Sequence, residues 1–374
     1  MMSSLERCLT TMDHKEPDRV PCFELGVNLS TIEKILHRST VSAALGCMTT
    51  EQLKTMARDT VEAYAAAGLD MVPASAGAPE NYREGFVPKY ITPERWIDEF
   101  GRIWENRPGV TGLSWYIDGT IRSAEDLNRI ADLDPEDSGR TALAKETVKC
   151  ARERNMAVAG YVDGPFLTAY MTTGLAPFLR AVYKDRPFTI ELLELVNKFN
   201  CVQAEKLAEL GVDVIIIGED MGDSNGPLMN PREFRNITFP LLKMEMDVVK
   251  RMGTKVYLHS DGNIMKIFAD LVELGFEGYQ AIESDAGMDI ALLKDEYGDQ
   301  LCLVGNVDCG STLCQGSVQQ VVAETRRIID VAGPGGGFIL GSSNSIHDGV
   351  KLENFLAMTR TAAEYGKYPL TRRS

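Results

Sequence analysis

Eight short apolar runs recur along the chain, at 20–25, 70–74, 156–162, 213–218, 255–259, 279–283, 301–306 and 337–341, and each ends in polar or glycine-rich residues. Between them the spacing is helical. Residues 187–210 place apolar side chains at helical intervals and stop at Gly211, where a helix C-terminus favours a left-handed residue. The same order of helix, glycine and strand recurs at Gly68, Gly253 and Gly275. Strands that are apolar on both faces need cover on both faces, and alternating helices supply it, so the pattern predicts an α/β fold with a parallel sheet. Eight such units predict closure into a (β/α)8 TIM barrel, with residues 1–374 as a single domain.

The regularity breaks between the second and third runs. Residues 96–115 (WIDEFGRIWENRPGVTGLSW) alternate as a β-hairpin does, with 106–109 as turn material. No Pro/Gly/Ser linker flanks them, so the segment is expected to be a capping β-hairpin insertion between strands 2 and 3 rather than a second domain. The GPGGG at 333–337 precedes a strand, not a helix, which argues against a phosphate cradle.

Composition narrows the function classes. A net charge of −15 opposes binding to a phosphate backbone, and no basic patch is visible, so no nucleic-acid partner is expected. No stretch approaches the roughly 20 apolar residues of a bilayer span, which predicts no membrane partner. The first residues carry charges every few positions, and a cytoplasmic location is expected. The eight cysteines contain no CxxC pair, and they read as reduced, mostly buried small residues. Cys309 and Cys314 are close enough in sequence to invite a metal reading, which is the weaker one for a pair without further ligands beside it.

In a barrel of this kind the reacting groups project from the C-terminal ends of the strands. The residues after the apolar runs are Glu24, then Asp163 with Tyr161 beside it, Glu219 and Asp220, and His259-Ser260-Asp261-Gly262. Glu283, Asn306 with Asp308, and Ser342-Ser343-Asn344 complete the set. Carboxylates, imidazole and carboxamides crowded into one mouth suit a divalent metal or an acid/base pair. We take Glu219, Asp220, His259 and Asn344 as candidate catalytic residues, and Glu219, His259 and Asp261 as candidate metal ligands. Glu24, Tyr161, Asp163, Glu283 and Asn306 are candidate substrate contacts. His259 is the one histidine of four that sits at a strand end, with a carboxylate two residues on. Residues i and i+2 of a strand share a face, so the pair can reach one ion. The other reading makes His259 a hydrogen-bonded support and Asp261 the cap of a helix beginning near Asn263. His347 could line the entrance, and His14 and His37 receive no role.

The segments HSDGNI (259–264), GEDMGDSNGPLMNPREFRNITFP (218–240), GNVD (305–308), KLENFLAM (351–358) and LERCLTTMDHKEPDRVP (5–21) together resemble the uroporphyrinogen decarboxylase superfamily. The resemblance implies one of two chemistries. True decarboxylases carry an arginine-rich segment after the first strand to pair with a polycarboxylate substrate, whereas the matching stretch here, FELGVNLSTIEK (23–34), has no arginine. The other branch consists of corrinoid-dependent methyltransferases, which dock a separate corrinoid protein and often hold zinc. Members that methylate thiols resemble HxC with a distant cysteine, and the corresponding positions here are His259, Asp261 and Asn344. Harder donors suit an oxygen leaving group better than a thiolate. The chain therefore resembles the substrate-demethylating methyltransferase of an O-demethylase system. This implies a small-molecule O-methyl donor, a corrinoid protein as partner, a corrinoid carried by that partner, and Zn2+ as a candidate metal. Trp96, Trp104, Trp115, Tyr116, Tyr161 and Phe166 are candidate walls for an aromatic donor. A thiol methyltransferase, a decarboxylase-like lyase and a non-catalytic ligand-binding barrel remain as alternatives, and a homodimer stays open.

Overall fold

The structure, a computed structural model, describes residues 2–41, 48–79, 89–107 and 111–371. In chain order, β1 (Met71–Ser75) is followed by β2 (Lys89–Tyr90), β3 (Arg95–Ile97), β4 (Arg102–Arg107) and β5 (Thr111–Gly119). Next come β6 (Ala157–Asp163), β7 (Val214–Gly218), the short pair β8 (Gly222–Asp223) and β9 (Gly226–Pro227), and β10 (Lys255–His259). The last three are β11 (Gly278–Gln280), β12 (Cys302–Val307) and β13 (Phe338–Ser342). Seven of them form one parallel sheet in the order β1, β6, β7, β10, β11, β12, β13.

The first apolar run is not a regular strand, contrary to expectation. Two isolated parallel bridges instead tie it to both ends of the sheet, Cys22 to Leu340 and Phe23 to Met71. The Phe23 N–H donates to the Leu340 carbonyl at 2.9 Å, and the Asp70 N–H donates to the Cys22 carbonyl at 2.8 Å. Both open edges are thereby met, and the sheet closes into an eight-membered (β/α)8 barrel.

Alternate strand residues separate into two apolar layers. Phe23, Met71, Ala157, Ala159, Val214, Ile216, Tyr257, Cys302, Val304 and Ile339 form one buried cluster that fills the barrel. Their neighbours Val158, Ile215, Ile217, Val256, Leu258 and Leu303 belong to the larger cluster beneath the helices. Among the described residues no helix is long and apolar enough to cross a membrane. The seven cysteines among the described residues are all unpaired.

The region between β1 and β6 is larger than the hairpin expected. Strands β2 to β5 make a four-stranded antiparallel sheet, and β4–β5 is its hairpin, pairing Trp104 with Tyr116 and Glu105 with Trp115. The expected turn residues from 108 onward fall outside the described residues.

Below the barrel, Asp70 gathers four donors. Arg7 Nη1 lies 2.6 Å away, Arg19 Nη1 2.8 Å, Ser4 Oγ 2.8 Å and the Cys22 N–H 2.9 Å. Asp70 is buried, as is Arg7, so their charges are mutually dependent. Removing one partner of a buried pair leaves the other uncompensated. Asp70→Ala should therefore lower stability by about 3–5 kcal/mol. A urea-unfolding free energy within about 1 kcal/mol of wild type would show that the cluster does not hold the barrel's base together.

Candidate active site

The inward face of each strand continues upward past the apolar layer. Counting in twos from the barrel-filling residues, β6 runs Ala157, Ala159, Tyr161, Asp163, β7 ends at Gly218, β10 runs Tyr257, His259, and β12 runs Cys302, Val304, Asn306. Gln280 of β11 is the in-register partner of His259. The polar groups therefore arise where the inward rows reach the C-terminal mouth of the barrel.

His259 is the centre of the group. It is 9% exposed, with Nε2 at 3.4 Å from Asp220 Oδ1 and 3.9 Å from Asp261 Oδ1. Its Nδ1 is hydrogen-bonded to Gln280 Oε1. The edge of the Tyr161 ring packs on the imidazole, with centroids 6.4 Å apart. Burial alone would depress the imidazole pKa. The hydrogen bond to Asp220 and the charge of Asp261 outweigh it and raise the pKa to about 9. For Asp261, burial dominates, and its carboxyl is pushed up to about 6 in spite of the neighbouring imidazole. Asp220 stands in the left-handed region with φ 39°, where its carboxylate accepts the Asp261 N–H at 3.1 Å. Burial works against its charge, but the hydrogen bond from His259 prevails and holds its pKa below the ordinary value.

Asn344 completes the cluster from the last strand's end, donating from Nδ2 to Asp261 Oδ2 at 2.8 Å. Asp261 does not cap the following helix. That helix is Met265–Leu274, and Asn263 Oδ1 accepts the Met265 N–H at 3.1 Å. Asp261 Oδ1 is left buried without a hydrogen-bond partner. Asp220, His259 and Asp261 each offer one ligand atom, all within 4.8 Å of one another, so these three could hold a metal ion. Glu283 borders the group, accepting the Gly262 N–H at 2.8 Å.

Other expected residues stand apart from it. Glu219 follows Gly218 on the opposite parity, and its Oε2 accepts the Leu167 N–H at 2.9 Å at the start of the helix Pro165–Thr173. A Cβ on Gly164 would lie 2.5 Å from Glu219 Cδ, so a glycine is required for the carboxyl to reach that helix end. Complete burial pushes the Glu219 carboxyl well above its ordinary range. The structure therefore does not place it among the grouped metal-ligand atoms. Glu24 also turns from the mouth: Ser342 donates to it from both N and Oγ, each at 2.7 Å. Asn306 is buried and donates from Nδ2 to the Ile282 carbonyl at 3.1 Å. Asp163 is hydrogen-bonded by the Tyr161 hydroxyl, and burial raises its carboxyl above the ordinary value in spite of that bond.

Two residues that strand-end reading missed contribute here, Gln280 and Arg102. Arg102, from β4, reaches Asp163 at 3.1 Å while its Nε bonds Asp98 at 2.6 Å. Its guanidinium lies over the rings of Phe100 and Trp104. The antiparallel sheet is thus fastened to the rim of the barrel by a charge pair. Trp96, Trp104, Tyr116 and Tyr170 form a continuous run of ring contacts that joins the antiparallel sheet to the helix Pro165–Thr173. Trp115 instead lies 48% exposed, and Phe166 is core, packed on Phe178 and Phe234. His347 pairs with Cys314, its Nε2 lying 3.7 Å from Sγ.

The family model of uroporphyrinogen decarboxylase (URO-D) matches residues 111–365. The chain belongs to this family. Methylcobamide:CoM methyltransferase MtaA from Methanosarcina barkeri is 27% identical over 265 residues, covering 69% of this chain and 72% of that protein. Uroporphyrinogen decarboxylase from Methylococcus capsulatus is 23% identical over 260 residues, covering 66% and 70%. Among solved structures, a methyltransferase from Methanosarcina mazei superposes with a TM-score of 0.70 at 21% identity, covering 98% of this chain and 99% of that one. Within this URO-D barrel, the segment 23–34 after the first strand position carries no arginine.

Glu24 gives the URO-D barrel a measurable pH dependence. Burial raises its carboxyl to about 8 from the ordinary 4.5. The folded chain then keeps a proton that the unfolded chain has already lost between those values, so stability falls as pH rises through that window. Each pH unit within it costs about 1.4 kcal/mol. Glu24→Gln keeps an acceptor for the Ser342 N–H and cannot ionise. Its urea stability should fall less steeply from pH 5 to pH 8 than that of wild type, and equal slopes would remove Glu24 as the source.

Proposed function

We propose that this URO-D family chain is a corrinoid-dependent methyltransferase that moves a methyl group from an O-methyl donor, a methoxylated aromatic, to the cobalt of a separate corrinoid protein. The observation that carries this reading is the composition of the mouth. At the strand ends, His259, Asp220, Asp261 and Asn344 converge with one imidazole and three oxygen-bearing side chains and no sulfur. The sequence relatives named as methylcobamide methyltransferases support methyl transfer within this family.

In the proposed reaction the electron pair of reduced cobalt forms a bond to the methyl carbon as the carbon–oxygen bond breaks. The bonding pair goes to the ether oxygen, which leaves as a phenoxide and takes up a proton. Negative charge develops on that oxygen, and stabilising it lowers the barrier. The chain's own means is the proton on His259 Nε2, which a pKa of about 9 retains at neutral pH. Gly262, pinned by Glu283, and Asn344, bonded to Asp261, fix the turn that carries Asp261, whose N–H in turn holds the Asp220 carboxylate. Zinc also fits these residues, since imidazole nitrogen and carboxylate oxygen are both zinc ligands and Asp261 Oδ1 is buried with no hydrogen-bond partner. When held by Asp220, His259 and Asp261, Zn2+ would supply Lewis-acid charge to the leaving oxygen in place of that proton. The ring run from Trp104 and Tyr116, in the sheet that Arg102 ties to Asp163, to Tyr170 suits an aromatic donor.

A second reading, transfer from methylcobalamin to a thiol, is favoured by the name of the relatives and opposed by oxygen at positions 261 and 344. One assay separates them. The protein, a corrinoid carrier reduced to the cob(I)alamin state and a panel of methoxylated aromatics should give the spectrum of methylated cobalt. His259→Ala should slow it by about 10²- to 10³-fold. Thiol methylation from methylcobalamin, with no donor demethylated, would replace the first reading by the second.

A further inference from the structure

Gln280 plays no part in the reading above, yet it touches the residue on which that reading turns. It stands at the end of β11, 2% exposed, directly across from His259 in the parallel register. The Ser260 N–H donates to the Gln280 carbonyl at 3.0 Å, so backbone pairing fixes the two side chains at one level. Its Oε1 meets His259 Nδ1. An amide oxygen only accepts, so the proton of this bond belongs to Nδ1. The other ring nitrogen is thereby turned toward Asp220 and Asp261, at 3.4 Å and 3.9 Å.

We infer that Gln280 is the positioning residue of this site: it holds a proton on His259 Nδ1 and presents Nε2 as the ring's only working nitrogen. The choice of a carboxamide has a physical reason. Asp220 and Asp261 already border the imidazole, with Glu283 acting on Asp261 beside them, and a further carboxylate would add like charge to a buried group. Glutamine supplies the same acceptor atom without charge. A ligating histidine whose second nitrogen is so fixed binds metal more tightly, and loss of the fixing partner typically costs 10- to 100-fold in affinity. The inference shares its site with the methyltransferase reading but stands without it, because it concerns only the proton and the orientation of one ring.

Nitrogen-15 NMR of protein labelled at histidine tests it, with four histidines to resolve and His259→Gln to identify the signal. Wild type should show a slowly exchanging His259 Nδ1–H, and Zn2+ should bind with that proton retained. Gln280→Met should lose the protection and weaken Zn2+ binding by roughly 10- to 100-fold in calorimetry. Gln280→Glu keeps the acceptor oxygen at the cost of like charge and should keep the protected Nδ1–H, and wild-type circular dichroism of both variants shows that the fold tolerates the change. A wild-type ring with an unprotected Nδ1, or a Gln280→Met protein with unchanged protection, overturns the assignment. If zinc does not bind, the metal-free signals alone decide. None of these readouts involves a methyl donor, so failure of the proposed reaction leaves the result intact.

Discussion

A parallel sheet of seven strands has two unpaired edges, and every feature of the site depends on how the chain meets them. The segment around Cys22 and Phe23 does so with a few backbone bonds on each side, too few to make a regular strand but enough to close the ring. Side chains then secure the seam at both ends. Asp70 draws Arg7, Arg19 and the Cys22 N–H together below, and Glu24 takes two bonds from Ser342 above. Closure brings the strand ends into one rim, so residues far apart in sequence, such as Asp261 and Asn344, come within a hydrogen bond.

Within the rim, parity decides which strand-end residues meet. Inward rows end in Asp163 after Tyr161, His259, Gln280 and Asn306, whereas Glu219 is one step out of phase with Gly218 and belongs to the outer row. There its carboxyl serves a helix N-terminus, where N–H groups lack intrahelical partners. Gly218 matters for the same geometry: a Cβ at that position would lie 2.1 Å from the Tyr161 hydroxyl, so an in-phase residue larger than glycine would displace the ring that packs on His259.

The fold was legible because its signal is long and repeated. Seven apolar runs became strands with their C-terminal ends near the expected places, and the eighth segment closed the ring. The site was legible in part. Reading residues that follow each run found Asp220, His259, Asp261, Glu283 and Asn344, which the structure brings around one point. It could not separate Glu219 from Asp220, since both follow the same run, although counting in twos from Val214 and Ile216 would have put Gly218 inward and Glu219 outward. Gln280 was hidden for a different reason. The run 279–283 was read as strand to its end, whereas the strand stops at Gln280, and Ile282 takes a left-handed conformation with φ 63°. Arg102 lies on an inserted strand, and its contact with Asp163 depends on tertiary docking that no local pattern encodes.

The electrostatics of the rim favour a particular kind of chemistry. Two carboxylates flank one imidazole with Glu283 behind them, and the groups that fasten the cluster, Gln280 on the imidazole, Asn344 on Asp261 and the Gly262 N–H on Glu283, are all uncharged. Neutral supports leave the negative charge concentrated on Asp220 and Asp261, with the imidazolium of His259 between them to compensate it. Arg102, on the adjoining sheet, is already committed to Asp98 and Asp163. A substrate bearing its own carboxylates would meet repulsion at such a mouth, whereas a neutral molecule whose oxygen becomes negative only during reaction would meet a positive centre as that charge appears. That difference between ground state and transition state is what catalysis requires, and it separates this rim from one built to bind a polycarboxylate.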